Sequence, residues 1–348
     1  MLWDAVGALP VAALAMAGAS LFALGFAFPR RSLHYLAAAV AGAALAATLA
    51  AAGGAATSLA VDASPGTSVF LGAGFWVIFA CGALALIDSL RRAEAGALVQ
   101  LLVAVLAAAG FWLMAKAGLF DALALAREYA NRREVFAAAM LRHIELVGAA
   151  IVPALLTGVP LGLLALRKKR IEAPLFAVLN LLQTVPSIAL FGLLIAPLSE
   201  LASAFPALGA IGIGGVGPAP AIIALMLYAL LPVARNTLAG IGGVPAAATD
   251  AARGMGMSRR QIFWQVEAPL ALPVLLAGLR IVLVQALGLA VVAALIGAGG
   301  LGMFVFDGLG QYATSLVLLG ALPAIALALG VDFLMRLATG SLSRRFAA

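Results

Sequence analysis

The sequence predicts an all-α polytopic membrane protein of about nine transmembrane helices. Three observations lead there. Of 348 residues, 65% are hydrophobic and only 10% charged, whereas soluble domains carry about 25% charged residues. The mean hydropathy of +1.16 exceeds what any buried core requires, so most of the surface must face lipid. The apolar runs are continuous over about 20 residues, the length a helix needs to cross a bilayer. A β-barrel would instead show short alternating segments.

Nine spans are read along the chain: 8–28, 33–52, 69–88, 97–115, 144–166, 174–198, 220–241, 270–294 and 314–335. Basic residues support the count. Arg30 and Arg31 follow the first span, Arg91 and Arg92 the third, and Arg167 to Arg170 (RKKR) the fifth. Arg253, Arg259 and Arg260 lie between the seventh and eighth, and Arg336, Arg344 and Arg345 close the chain. With nine spans all of these loops share one side, which the positive-inside rule makes cytoplasmic. The expected location is a bacterial inner membrane, with the N-terminus outside and the C-terminus cytoplasmic. The net charge of +7 is thus topological and needs no nucleic acid. MLWDAVGALP lacks a basic start and carries Asp4, which argues against a secretory signal peptide.

Residues 116–143 break the basic rule. They should lie outside, yet hold Lys116, Arg127, Arg132, Arg133 and Arg142, partly neutralised by Asp121, Glu128 and Glu134. Glu128 and Arg132 stand at i,i+4 in the order that supports a helix. An external linker helix is expected here, between a four-span extension (1–115) and a five-span rear part (144–348). The front spans are Ala-rich and poor in polar residues. The rear ones contain Pro153, Pro160, Pro186, Pro232 and Pro323, with Asn180, Gln183, Thr184 and Gln285 at membrane depth. Amides and prolines there are tolerated only where helices or water satisfy the freed polar groups.

Residues 244–269 form the most polar interruption of the rear part. Pro245 suits a first helical turn, and AAATDAAR reads as helix. Gly254 and Gly256 permit the left-handed conformation that ends one. Ser258, with Gln261 three residues on, is a capping box, and the second helix is expected to stop at Pro269. Charge mixed with Met255, Met257, Ile262, Phe263 and Trp264 suits docking into a protein groove.

The register of this segment carries a resemblance. D-A-A, three residues, Gly256, nine residues, Val266, one residue, Ala268 and Pro269 resembles the EAA loop of ABC importer permeases. That pattern runs E-A-A, three residues, G, nine residues, I, one residue, L-P. Ala251, Ala252, Gly256 and Pro269 match in register, while Asp250, Val266 and Ala268 replace Glu, Ile and Leu. The resemblance implies that Asp250, Ala251, Ala252, Arg253, Gly254, Gly256, Ser258, Arg259 and Pro269 belong to a loop that fits a groove on a cytoplasmic ATPase. NLLQTVPSIALFGLLIAPL (180–198), AALIGAGGLGMFVFDGL (293–309), GVPLG (158–162) and YALLPVARNTLAGI (228–241) look like stretches of glycine betaine, choline and related osmoprotectant permeases. The resemblance covers about residues 143–340 and implies a MetI-like, type I importer core. Long permeases of one osmoprotectant subgroup are similar in carrying extra N-terminal spans.

The implied function is that of the membrane-spanning subunit of an ATP-driven importer for a small osmoprotectant-like solute. The implied partners are an ABC ATPase dimer, an extracytoplasmic binding protein and a second permease subunit, either a copy of this chain or a relative. No G-x-x-x-x-G-K-[ST] occurs in the sequence, so no cofactor is assigned to this chain and ATP is expected on the partner. GAGGLG (297–302) matches G-x-G-x-x-G formally but lacks a strand–helix context; backbone bending near the pore exit fits it better. Gly158 and Gly162 are read as helix packing. Asn180, Gln183, Thr184 and Ser187 fall at i, i+3, i+4 and i+7, one helix face. This stripe, with Gln285 opposite, is either pathway lining or an interhelical lock. Arg280 either snorkels or pairs within the bundle, and Asp332 with Arg336 forms an i,i+4 pair.

Catalytic readings find no support. His34 and His143 are the only histidines and fall near opposite membrane faces, so no metal site is expected. Quaternary amines are held by aromatic cages; with four Trp and four Tyr scattered along the chain, that recognition is assigned to the binding protein. A secondary transporter or channel is the alternative from another class. It needs charged coupling residues at midmembrane and no ATPase. A purely structural membrane protein would move no solute.

Overall fold

A computed structural model describes residues 30–61, 69–210 and 212–346. The expected first span, 8–28, lies outside the described residues. Eight helices among those described are long and apolar enough to cross a membrane; seven correspond to expected spans, and the eighth, Ser187–Ala204, overlaps only the second half of the expected span 174–198. The chain divides into two compact units, 1–131 and 132–348.

In the first unit, α1 (Arg31–Val61), α2 (Ala73–Arg92) and α3 (Ala97–Lys116) are spans and α4 (Ala124–Asn131) is short. No residue of α3 is buried within the chain, as expected of a helix whose apolar surface is left to lipid. The connection after α3 folds back onto α1: Phe120, Ala122 and Leu123 are buried against Ala56. Gly53 allows the approach, since a Cβ there would stand 2.5 Å from the Leu119 carbonyl oxygen.

The expected linker helix over 116–143 is not one element. After α4, a single residue, Arg132, leaves helical geometry (φ −124°, ψ 24°), and α5 (Arg133–Arg167) then runs 35 residues without interruption. The basic residues from Arg133 to Arg142 are thus the first turns of a spanning helix. Continuing an existing helix costs far less than starting one.

The second unit continues with α6 (Lys169–Thr184), α7 (Ser187–Ala204), the short α8 (Pro206–Ala210) and α9 (Pro218–Gly242). After residues 244–267 come α12 (Ala268–Val292), α13 (Gly302–Gly310) and α14 (Thr314–Phe346). The sixth expected span, 174–198, is two helices here. Pro186 removes an amide donor and forces Val185 out of the α region, and Val185 and Pro186 are extended (ψ 126° and 139°).

The centre of the unit is the seam of α5, α9 and α12. Val147, Ala150, Ile151 and Ala154 pack there on Leu225, Ala229, Val233, Val282, Ala286, Leu287 and Ala290. Small residues set how close the helices come. At Gly158 a Cβ would lie 2.7 Å from Val233 Cγ1, and at Gly162 it would lie 2.5 Å from the Ala234 carbonyl oxygen. In lipid, where apolar surface gains little from association, this close van der Waals fit drives helices together.

Candidate coupling segment and bundle interior

Between α9 and α12 the chain forms α10 (Ala246–Gly254) and α11 (Arg259–Ile262). Pro245 stands one position earlier than expected, as the residue preceding α10. Gly254 is still helical, and the left-handed turn falls on Gly256 alone (φ 81°). An L-side chain there would strain the backbone, although the space around it is open. The turn is closed by Met257 N–H donating to the Ala252 carbonyl at 3.1 Å.

Ser258 makes both halves of the capping box: Gln261 N–H donates to its Oγ, and Ser258 N–H donates to Gln261 Oε1 at 2.8 Å. The second helix does not stop at Pro269. A π-turn over Phe263–Glu267 carries it into α12, with Ala268 N–H donating to the Phe263 carbonyl. Proline clashes with the carbonyl four residues before it and offers no N–H; one wider turn ahead of it relieves both conflicts. The second short helix and a spanning helix thus share one continuous helical backbone.

Ala252 in α10 and Ile262 in α11 are buried. Asp250, Ala251, Arg253, Gly254, Gly256, Ser258 and Arg259 are exposed, as are Met255 (75%) and Trp264 (64%). Pro269 is half-buried. Asp250 and Arg253 form an ion pair at 2.6 Å. Exposed on both sides, it contributes little to stability. The segment therefore presents a mixed apolar and charged surface carried on two short helices.

The polar residues at depth separate into two kinds. Gln183 is half-buried and its Nε2 donates to the Tyr228 carbonyl at 2.8 Å, binding α6 to α9. The Tyr228 hydroxyl donates to the Val185 carbonyl, satisfying an acceptor that the Pro186 break leaves free. Asn180 Oδ1 accepts from Arg235 Nη2 at 3.0 Å. Thr184 is exposed and its hydroxyl donates only to Leu181 in its own helix, at 2.7 Å. Ser187 does not share the face of the other three, because it begins α7 beyond the break. Gln285 is exposed on α12, in line with Ile281 and Gly288.

Of the two alternatives expected for Arg280, the structure has it pairing within the bundle, at 3.4 Å from Asp332, which also binds Arg336. His143 is fully buried; its ring Nε2 lies 3.1 Å from the Leu287 carbonyl. Gly297, Gly299 and Gly300 are all left-handed (φ 75°, 80° and 84°). They fold the loop before α13 over α5, where Arg142 Nε donates to the Ala298 carbonyl at 3.3 Å. Two features escaped the sequence reading: the burial of His143, and Arg235, the one charged residue in α9. Its charge at that depth was the available signal.

The second unit is a helical bundle with two short helices, α10 and α11, set between consecutive spans. Residues 154–346 match the binding-protein-dependent transport system inner membrane component family, and the chain belongs to that family. Residues 1–126 match the N-terminal domain of ABC transporter permease YehY. Among curated relatives, the osmoprotectant import permease protein OsmW of Salmonella typhimurium is 41% identical over 199 residues, 56% of this chain and 85% of that one. The carnitine transport permease protein OpuCB of Listeria monocytogenes is 39% identical over 192 residues, 55% of this chain and 81% of that one. The choline transport system permease protein OpuBB of Bacillus subtilis is 36% identical over 201 residues, 58% and 85% respectively. The fold is shared with a solved structure of the MetNI methionine ABC transporter in an inward-facing conformation, at a TM-score of 0.53 and 19% identity. That match covers 61% of this chain and 98% of the other.

Proposed function

We propose that this chain is the translocation subunit of an ATP-driven importer for a small osmoprotectant such as glycine betaine, choline or a related compound. The observation that carries the reading is the coupling segment. It holds Asp250, Ala252 and Gly256 in a two-helix frame that exposes Met255, Arg253 and Trp264, and it continues without a break into α12. A groove on an ATPase that grips this frame moves a spanning helix directly. The solute class is supported by relatives whose names specify osmoprotectants, carnitine and choline.

In this reading the segment faces the cytoplasm, as its arginines favour, with the N-terminus outside and the C-terminus inside. An ATPase dimer sits below, a binding protein delivers solute above, and a second permease subunit completes the pathway. Asn180, Thr184 and Gln285, polar and exposed at depth, line the pathway. Gln183 locks α6 to α9. The carboxylate of Asp250 serves where relatives of the pattern carry Glu, on a shorter arm.

The test is co-purification with the partner ATPase and uptake of radiolabelled glycine betaine and choline into cells carrying the whole system. Gly256→Val, which strains the turn by about 1–2 kcal/mol, is expected to abolish uptake and release the ATPase while leaving the spans folded. Undiminished uptake with an intact complex would overturn the coupling assignment. Uptake of neither solute by the unaltered system would overturn the solute class.

A further inference from the structure

Arg235 is exposed, two turns before the end of α9, whereas Leu230, Leu231, Val233, Ala234 and Thr237 around it are buried. An ionised guanidinium at such depth faces a bundle interior or a water-filled cavity, because acyl chains exclude it. Its side chain does not run toward the nearer end of the helix. Nη2 donates to Asn180 Oδ1 at 3.0 Å, and Asn180 lies eleven residues into α6, roughly 16 Å along its axis. The guanidinium also lies over the face of Phe176, 5.6 Å from the ring centroid.

Neither contact supplies a negative charge. Arg253 has Asp250, Arg280 has Asp332 and Arg142 has Glu145. Among the described residues no carboxylate pairs with Arg235. The site thus holds one positive charge on a planar fork that binds carboxylates bidentately. The aromatic face beneath it is one a different cation could occupy.

We propose that Arg235, Asn180 and Phe176 form a solute subsite for zwitterions that join a carboxylate to a quaternary ammonium. The carboxylate draws the guanidinium off Phe176 and is held by it, with Asn180 donating its amide. The ammonium takes the vacated ring face. This inference rests on the proposed osmolyte transport and narrows it. Solutes with a carboxylate depend on Arg235, whereas choline, which has a hydroxyl instead, does not. It also places part of the discrimination in the permease.

The experiment uses the complete importer in proteoliposomes, with glycine betaine and choline as paired solutes. Arg235→Gln is expected to lower glycine betaine uptake at least tenfold while choline uptake stays within twofold, and Arg235→Lys to restore part of the loss. An equal fall for both solutes, or no change for either, would overturn the subsite. A second measurement is independent of transport: labelling of Arg235 by the arginine reagent phenylglyoxal, read by mass spectrometry. Labelling that glycine betaine or acetate suppresses and choline does not supports the subsite; a residue that never labels, or labels regardless of carboxylate, refutes it. If the unaltered importer moves neither solute, the osmolyte reading falls, and acetate protection alone decides the subsite.

Discussion

Gly162→Ala tests whether helix proximity holds the second unit together. A methyl at this position would stand 2.5 Å from the Ala234 carbonyl oxygen and 2.7 Å from Thr237 Cβ. Ordinary contact begins at 3.4 Å, so α5 and α9 must separate by close to an ångström. Neither obstacle is a flexible chain end, since one is backbone and the other is the Cβ of a buried, hydrogen-bonded threonine. Separation also loosens contacts made by Ala154 and Val233 nearby. Overpacking of this kind costs about 1–3 kcal/mol; with backbone as the obstacle, about 2 kcal/mol is expected. Gly148→Ala is the internal control. It lies on the same helix with nothing within 4 Å of the added methyl, so the better helix propensity of Ala stabilises it by about 0.5–1 kcal/mol. Both variants are read by SDS-induced unfolding of the chain in mixed micelles. If Gly162→Ala lies within about 0.5 kcal/mol of the parent, or if both variants shift in the same direction, close packing is not what holds the seam.

Two further outcomes follow from the bundle. Tyr228→Phe removes the hydroxyl that caps the Val185 carbonyl at the helix break, and is expected to cost about 1–2 kcal/mol, with faster amide exchange at Val185 and Ser187; unchanged exchange there would refute the role. Asp332→Ala leaves Arg280 without its partner and is expected to cost about 1–3 kcal/mol. Adding Arg280→Met to it should restore part of that loss. Strictly additive losses in the same unfolding assay would mean the two side chains do not interact.

Much of the architecture was legible because lipid imposes a simple rule: every backbone polar group must be satisfied within the segment. Continuous apolar length therefore marks a helix. The capping box at Ser258 was legible for a similar reason, since it depends on residues three positions apart. The reading was weaker where two local rules conflicted. Pro186 and Pro269 both lack an amide donor, yet one ends a helix and the other is absorbed by a π-turn. At Pro186, Tyr228 from α9 supplies the hydrogen bond that compensates the break, and no local pattern reveals it.

The sequence by itself determined the class of protein, seven of the eight described spans and a left-handed turn within Gly254–Gly256, because hydropathy, charge and φ preference act over a few neighbouring residues. Only the tertiary structure decided which polar side chains lock the bundle and which stay open. Gln183 reaches a carbonyl 45 residues away, Arg280 finds Asp332, and Arg235 meets an amide and a ring but no carboxylate. A charge or amide at membrane depth must be satisfied by something, and what satisfies it is set by helices that meet in space rather than along the chain.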